Sequence, residues 1–134
     1  MAGGLAFASL SACSYTPSSV ENRPQLPSCG RYENLNQPPS ADQRRRNRCI
    51  LNALANGRRA ELIVRLATIE GDPITEYVRV VGRDRVEVFV DATRDSEGGP
   101  EARWSHWLCR GLEEQGGYLN RVDCREIPVD ERVT

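Results

Sequence analysis

The amino-acid sequence predicts an α+β domain in which one amphipathic helix packs on a four- to five-stranded antiparallel sheet stabilised by disulfide bonds. Three observations support this fold class: a helical apolar period before residue 57, alternating apolar and polar residues beyond it, and four cysteines that can pair completely. The chain has 134 residues, which is the length of one domain with its own core. We therefore divide it into a signal-like segment (1–13), a polar linker (14–40) and a single domain (41–134).

The first thirteen residues contain no charged side chain and include a short apolar stretch, 5–10. They end in Leu10-Ser11-Ala12-Cys13, which resembles a bacterial lipobox, where a peptidase cuts before a cysteine that carries a lipid. No Lys or Arg precedes Cys13, in contrast to the usual start of a signal peptide. The alternative is an Ala-rich N-terminus with an incidental cysteine. The pattern favours an exported chain that is anchored through Cys13 at the outer face of the cell membrane.

Residues 14–40 are rich in Ser, Pro, Thr and Asn, a composition typical of a flexible linker. A helix is predicted over 41–56, because Ser40 can cap its first turn and Gly57 can end it. Apolar residues recur on one side of this helix at helical spacing; they are Cys49, Ile50, Ala53 and Leu54.

Basic residues within this helix form the run Arg44-Arg45-Arg46-Asn47-Arg48, which also fits binding to a nucleic acid or to an anionic membrane. No aromatic residue is interleaved with the run, and the whole chain carries a net charge of -1. All eighteen basic residues are Arg, and they are spread along the chain. We therefore predict a solvated helix face and no nucleic-acid partner.

Five segments beyond the helix show the alternation of apolar and polar residues that is typical of strands. They are 62–67, 74–81, 86–91, 103–110 and 118–125. Turn residues separate most of them, in Glu70-Gly71-Asp72-Pro73, Val81-Gly82-Arg83-Asp84 and Gly116-Gly117, and a loop is predicted over 93–102. Successive strands joined in this way form an antiparallel meander.

Five cysteines occur in the chain, and four remain once Cys13 is assigned to the lipid. Four cysteines allow three pairings. The last predicted hairpin places Cys109 opposite Cys124, which leaves Cys29 to bond Cys49. A zinc site is the competing use, but the sequence has no Cys-x-x-Cys motif and a single histidine. The cysteines therefore predict two structural disulfides and no metal site.

Several motifs of the domain resemble a family of short bacterial lipoproteins classed as a domain of unknown function. They are Thr68-Ile69-Glu70-Gly71-Asp72-Pro73-Ile74, Asp91-Ala92-Thr93-Arg94-Asp95, Cys109, Tyr118-Leu119 and Cys124. The resemblance covers the chain from Ala41 onward, and Cys29 and Cys49 do not belong to the family pattern. It implies an envelope location and the same fold, and it implies no activity for any residue.

Side chains that could carry catalysis are few. The single histidine, His106, is predicted on a strand with Ser105 pointing to the opposite face, so a Ser–His pair is geometrically poor. A hydrolase would need two carboxylates close together, such as Asp72 beside Asp91 or Asp95. The acids near the predicted turns and loop are Glu70, Asp72, Glu76, Asp91 and Asp95. Surface charge is the alternative explanation of these acids.

Oxygen-bearing residues at alternate positions over 91–97 resemble a calcium loop. Ser96 stands where such a loop needs Gly, and Ala102 stands where it needs a bidentate Glu. Neither Gly-rich stretch is followed by the residues of a phosphate-binding or dinucleotide-binding motif. We therefore expect neither a metal nor a cofactor.

These observations favour a cell-envelope protein that acts as a non-catalytic binding or interaction module. Aromatic residues make up only 6% of the chain, and Trp and Tyr are favoured anchors of interfaces. The candidate binding face comprises Trp104, His106, Trp107 and Tyr118, with the membrane and an envelope protein as expected partners; core packing is the alternative role of the tryptophans. Two other functions stay open: a secreted enzyme inhibitor that presents loop 93–102, and the carboxylate-dependent hydrolase.

Overall fold

The computed structural model describes residues 15–133, so the predicted lipidation site, Cys13, lies outside the described residues. The helices are α1 (Ser18–Glu21) and α2 (Ala41–Ala55), and a 3-10 turn spans Gly99–Glu101. The strands are β1 (Ser28–Asn34), β2 (Ala60–Ala67), β3 (Pro73–Gly82), β4 (Arg85–Asp91), β5 (Trp104–Gln115) and β6 (Tyr118–Ile127). Neither helix in this part of the chain is long and apolar enough to cross a bilayer.

The strands form one sheet in the order of the chain, with β1 at one edge and β6 at the other. β1 runs parallel to β2, and every later pair of neighbours is antiparallel. The α+β class and the antiparallel meander of the later strands are therefore confirmed. The prediction of a purely antiparallel sheet with four to five strands is wrong, because the sheet is mixed and has six strands.

The additional strand is β1, which lies in the segment that the composition predicts to be a linker. Its residues are mostly polar, so no apolar alternation marks it in the sequence. Two parallel neighbours need a crossover connection, and α2 supplies it between β1 and β2. The helix begins as predicted, since the Ser40 hydroxyl oxygen accepts a hydrogen bond from the Gln43 backbone N–H at 3.0 Å. Pairing with β2 and contact with α2 therefore define β1.

One face of the sheet, which we call the helix face, packs against α2. The buried apolar residues on it include Ile50, Ala53, Leu62, Val64, Val78, Val80, Val86, Val88 and Leu112. Two disulfides border this core: Cys29–Cys49 joins β1 to α2, and Cys109–Cys124 joins β5 to β6. The predicted pairing is confirmed, and each bridge holds an edge strand of the sheet.

The opposite face of the sheet, which we call the terminal face, is partly covered by the segments that precede β1 and follow β6. Val20 from α1 is 1% exposed, although its neighbours in sequence are polar. The C-terminal segment contacts the same face through Pro128. The sheet is therefore covered on both sides, by a helix on one and by two chain ends on part of the other.

Candidate functional site

The four residues of the predicted binding face do not share one surface. Trp107 lies on the helix face, packs against the core and donates from Nε1 to the Ser105 hydroxyl at 3.0 Å. Trp104 and His106 lie on the terminal face, because successive residues of a strand point to opposite sides. Tyr118, which is 47% exposed, begins β6 at the tip of the last hairpin. Strand alternation therefore separates the two tryptophans.

His106 is completely buried and stacks on Phe89, with the ring centroids 4.1 Å apart. Its Nδ1 lies 2.9 Å from the Pro128 carbonyl oxygen, and its Nε2 lies 2.8 Å from Glu87 Oε1. Because the ring is completely buried and both nitrogens contact groups of the fold, a substrate has no access to it for proton transfer. His106 therefore connects the C-terminal segment to the sheet.

A row of buried charges continues from His106 across the terminal face. Arg79 is 1% exposed and donates from Nε to Glu87 at 3.2 Å and from Nη1 to Glu61. Arg23 donates to both carboxylate oxygens of Glu61, from Nε at 2.9 Å and from Nη2 at 3.1 Å. Burial disfavours the ionised form of Glu61, but the two arginines outweigh burial and hold the pKa of this carboxyl below its usual value.

The same charges hold the N-terminal segment against the sheet. Arg79 Nη2 donates to the Pro24 carbonyl oxygen at 2.7 Å. Ser19 Oγ donates to the Val129 carbonyl oxygen at 2.6 Å, which ties the two chain ends to each other. A buried charge that loses its partner strongly destabilises the fold. These contacts therefore give the covered half of the terminal face a role in the stability of the domain.

The other half of the terminal face is open and contains a cavity of about 200 Å³, which we call the open-face cleft. Its walls come from β1 to β4 and from the loop after β4. The lining residues are Arg31, Ile63, Arg65, Pro73, Thr75, Tyr77, Asp91 and Arg94. Strand register explains the grouping, since Arg65 pairs with Thr75 and Thr75 pairs with Asp91. Three guanidinium groups thus line a small cavity together with apolar side chains.

Aromatic rings form and extend the floor of the open-face cleft. Tyr77 stacks with Trp104, with ring centroids 6.1 Å apart and planes inclined by 25°. The Arg23 guanidinium carbon lies 4.6 Å from the Tyr77 ring centroid, within the range of a cation–π attraction. Trp104 Nε1 is buried and has no hydrogen-bond partner within residues 15–133. Arg23, which belongs to the row of charges on the covered half, therefore helps to position the Tyr77 ring on the open half.

Two of the carboxylates considered for hydrolysis accept hydrogen bonds that hold the loop over 92–103 in place. Asp72 Oδ2 accepts hydrogen bonds from the Ser96 hydroxyl at 2.6 Å and from the Ser96 backbone N–H at 2.9 Å. These bonds hold the pKa of the Asp72 carboxyl below its usual value. Asp91 Oδ1 accepts from the Thr93 hydroxyl at 2.6 Å and from the Thr93 N–H at 3.0 Å. Both acids use their oxygens as turn residues do.

The other acids of the hydrolase hypothesis lie apart from one another. Asp95 Oδ1 accepts from the Glu97 backbone N–H at 3.2 Å. Glu76 lies on the helix face, where burial raises the pKa of its carboxyl although Arg121 Nη2 is 3.3 Å away. Within residues 15–133, no three His, Cys, Asp or Glu side chains are grouped as a metal site would require.

Sequence reasoning missed most of the open-face cleft. Arg31 falls within the segment predicted as a linker, and Tyr77 and Arg94 belong to no motif of known chemistry. The alternation of residues in β3 is the one sequence signal that points to the cleft, because it places Thr75 and Tyr77 on the same side of the strand. The arginines come from other elements, which only strand pairing brings together.

A wider concavity of about 810 Å³ lies beside the Cys109–Cys124 disulfide of β5 and β6 and is lined mostly by charged residues. Its lining residues are Asp84, Arg85, Leu108, Cys109, Arg110, Asp123, Cys124 and Arg125. No aromatic ring lines it, and two aspartates stand among its three arginines. The open-face cleft brings three arginines and a single aspartate together with the Tyr77 ring, and we take it as the candidate site.

Comparison of the chain with protein-family models, with curated proteins and with solved structures finds no match. The function of the chain is therefore inferred from the cysteines and from the geometry of the cleft.

Proposed function

We propose that this protein is an exported, non-catalytic binding module, anchored through Cys13 to the outer face of a bacterial cell membrane. The observation that carries the proposal is the pairing of Cys29 with Cys49 and of Cys109 with Cys124. Disulfides persist in oxidising compartments, and this pairing leaves Cys13 as the one cysteine outside both bridges. The apolar stretch that ends in Leu10-Ser11-Ala12-Cys13 supports the same location.

A binding role, rather than catalysis, is supported by the contacts of the described side chains. His106 and Asp72 already use their polar atoms in hydrogen bonds within the fold. Arg31 and Arg94 line the open-face cleft and form no ion pair within residues 15–133. The membrane is thus the proposed partner of the N-terminus, and a molecule of the envelope is the proposed partner of the cleft.

Intact-mass measurement on protein from the membrane fraction of the native host tests this proposal. We expect a mature chain that begins at Cys13, carries the added mass of a lipid, and exposes four alkylatable thiols only after reduction. A Cys13→Ser variant is the matched control, which should lack the lipid and keep both disulfides. A soluble, unprocessed chain with five reactive thiols would overturn the proposal.

A further inference from the structure

We infer that the open-face cleft binds a small oxyanion, that is, a carboxylate or phosphate group on a molecule no larger than an aromatic acid. This inference rests on the proposed binding role and names the class of ligand. Three properties of the cleft carry it: arginines without a carboxylate partner, walls that are already held in place, and the small size of the cavity.

Two of the three guanidinium groups in the cleft lack a carboxylate partner. Arg65 Nη1 lies 3.2 Å from Glu33 Oε1, whereas Arg31 and Arg94 have no carboxylate oxygen within 4.0 Å among residues 15–133. Asp91 is the single acid in the lining, and its Oδ1 already accepts two hydrogen bonds from Thr93. A planar guanidinium offers paired N–H donors that match the two oxygens of a carboxylate or phosphate. The cleft therefore has donors available for an anion.

The walls that carry these donors are held by contacts elsewhere in the fold. Arg94 lies on the loop that the Asp72–Ser96 hydrogen bonds fix to the turn before β3. Arg31 lies two residues after Cys29, which the disulfide ties to α2. Because these segments are ordered before a ligand arrives, binding costs less conformational entropy.

The size and floor of the cleft limit the ligand. A cavity of about 200 Å³ corresponds to about seven water molecules at roughly 30 Å³ each. Ile63, Pro73 and Tyr77 provide apolar contact, and the Thr75 hydroxyl can donate to an oxyanion. A short aliphatic or single-ring acid fits this combination.

A large polyanion fits the surroundings poorly. Glu33 is paired beside Arg65, and Asp95 and Glu97 follow Arg94 along the loop. Binding to a nucleic acid requires a continuous basic stripe, and the whole chain has a net charge of -1. The arginines of the cleft are therefore interrupted by acidic residues, an arrangement that favours a single anionic group over a polyanion.

Titration by two-dimensional ¹⁵N–¹H NMR tests the inference on the full chain carrying Cys13→Ser. The probes are succinate, benzoate and inorganic phosphate, each added at constant ionic strength against chloride. We expect saturable shifts of the backbone amides of Arg31, Thr75 and Arg94, with a Kd on the order of 1 mM, as a single small anion provides. Saturation by the carboxylates alone assigns a carboxylate ligand, and saturation by phosphate alone assigns a phosphate; either supports the inference.

Charge-removing variants separate the cleft from general surface charge. Arg31→Gln and Arg94→Gln should each raise the Kd by about tenfold, because each removes a charge-assisted hydrogen bond. Arg110→Gln is the matched control, since Arg110 is an exposed arginine of the other concavity, and its Kd should match that of the unsubstituted chain. Unchanged amide positions far from the cleft establish that each variant is folded.

The inference is overturned if none of the three probes saturates, or if Arg110→Gln weakens binding as much as Arg94→Gln. Neither result bears on the anchoring proposal, which the mass measurement decides separately. A lipidated, disulfide-bonded chain without anion binding would therefore retain the proposed location and lose the proposed ligand.

Discussion

His106 carries the clearest chemical constraint of any single residue in the described structure. The Pro128 carbonyl oxygen can only accept a hydrogen bond, so His106 Nδ1 must donate to it. Nε2 lies 2.8 Å from Glu87 Oε1, and the second carboxylate oxygen of Glu87 accepts a hydrogen bond from Arg79 Nε at 3.2 Å. Both ring nitrogens are therefore engaged within the fold, one by the Pro128 carbonyl and the other by Glu87. Sequence alternation predicts the strand position of His106 and half-burial, but it does not reveal these partners.

The first prediction concerns the removal of this ring. His106→Leu should lower the free energy of unfolding by about 3 kcal/mol, because it leaves the buried Glu87 carboxylate without one of its partners and the Pro128 carbonyl unpaired. Urea denaturation measures the change. Tyr118→Leu, at an exposed aromatic position, is the control and should change stability little. A His106→Leu variant as stable as this control would contradict the described network.

The second prediction concerns the pH dependence that Glu76 imposes. Burial raises the pKa of this carboxyl above its unfolded value, and Arg121 offsets burial only in part. The folded state therefore binds the proton more tightly, so the contribution of Glu76 to stability is present at low pH and is lost as pH rises through the raised pKa. Glu76→Gln cannot ionise, and its free energy of unfolding should increase relative to the unsubstituted chain between about pH 4 and pH 7.

Urea denaturation across this pH range measures the difference. Glu113→Gln, on an exposed residue of β5, reports the effect of removing one surface carboxylate. If the stability of Glu76→Gln relative to the unsubstituted chain decreases with increasing pH, the pKa of Glu76 is lowered in the fold and the prediction is wrong.

At the scale of elements, the β5–β6 hairpin shows how a turn becomes a tertiary contact. The sequence predicts a turn at Gly116-Gly117, and both residues have positive φ angles, 61° and 88°. The structure adds that the Gly117 carbonyl oxygen accepts from Gln43 Nε2 and from Asn47 Nδ2, each at 3.0 Å. The hairpin tip is therefore fixed to the buried side of α2, which a local turn motif does not indicate.

The third prediction compares the two glycines of this turn. A Cβ at Gly117 would lie 2.5 Å from the Pro39 Cβ, whereas a Cβ at Gly116 would meet no atom within 4 Å. Both substitutions by Ala strain a left-handed backbone, but Gly117→Ala adds a clash in a packed site. We expect Gly117→Ala to lower the free energy of unfolding by about 2 kcal/mol more than Gly116→Ala. Thermal denaturation measures both variants, and equal losses would contradict the contact with Pro39.

The strand β1 marks the limit of local pattern at this scale. The helix and the later strands were predictable because apolar residues recur in them with the period of their own structure. β1 has few apolar residues and adopts its conformation through parallel pairing with β2 and the disulfide from Cys29 to α2. The position of β1 at the edge of the sheet brings Arg31 into the open-face cleft. The sequence analysis missed both the strand and Arg31 as a site residue, because neither is marked by a local apolar pattern.

At the scale of the whole molecule, the two chain ends act as a second layer on the sheet. The polar composition of residues 14–40 predicts a tether, yet Val20 is 1% exposed and Arg23 lies over the Tyr77 ring. This segment also supplies partners to half-buried Glu61 and to buried Arg79. The part of the chain nearest the proposed anchor therefore contributes to the stability of the domain and to the floor of the cleft.

The fourth prediction tests this layer. Val20→Ala should lower the free energy of unfolding by about 2 kcal/mol, as expected when part of a fully buried Val side chain is removed. Leu35→Ala is the matched control, since Leu35 precedes α2 and is 46% exposed. Chemical denaturation of both variants measures the difference. A Val20→Ala variant no less stable than Leu35→Ala would show that residues 15–27 behave as a free linker.

Local patterns were enough to predict the α+β class, the helix and the antiparallel strands, because periodicity and turn residues act over short stretches of chain. The cysteine pairing followed by elimination from the predicted last hairpin. The sequence also predicts the lipid anchor at Cys13, which stays a prediction. The parallel edge strand, the buried charges around His106 and the cleft with Arg31 and Arg94 became visible only in the three-dimensional structure. These features join residues far apart in sequence, and their physical cause is strand pairing and the need of buried charges for partners.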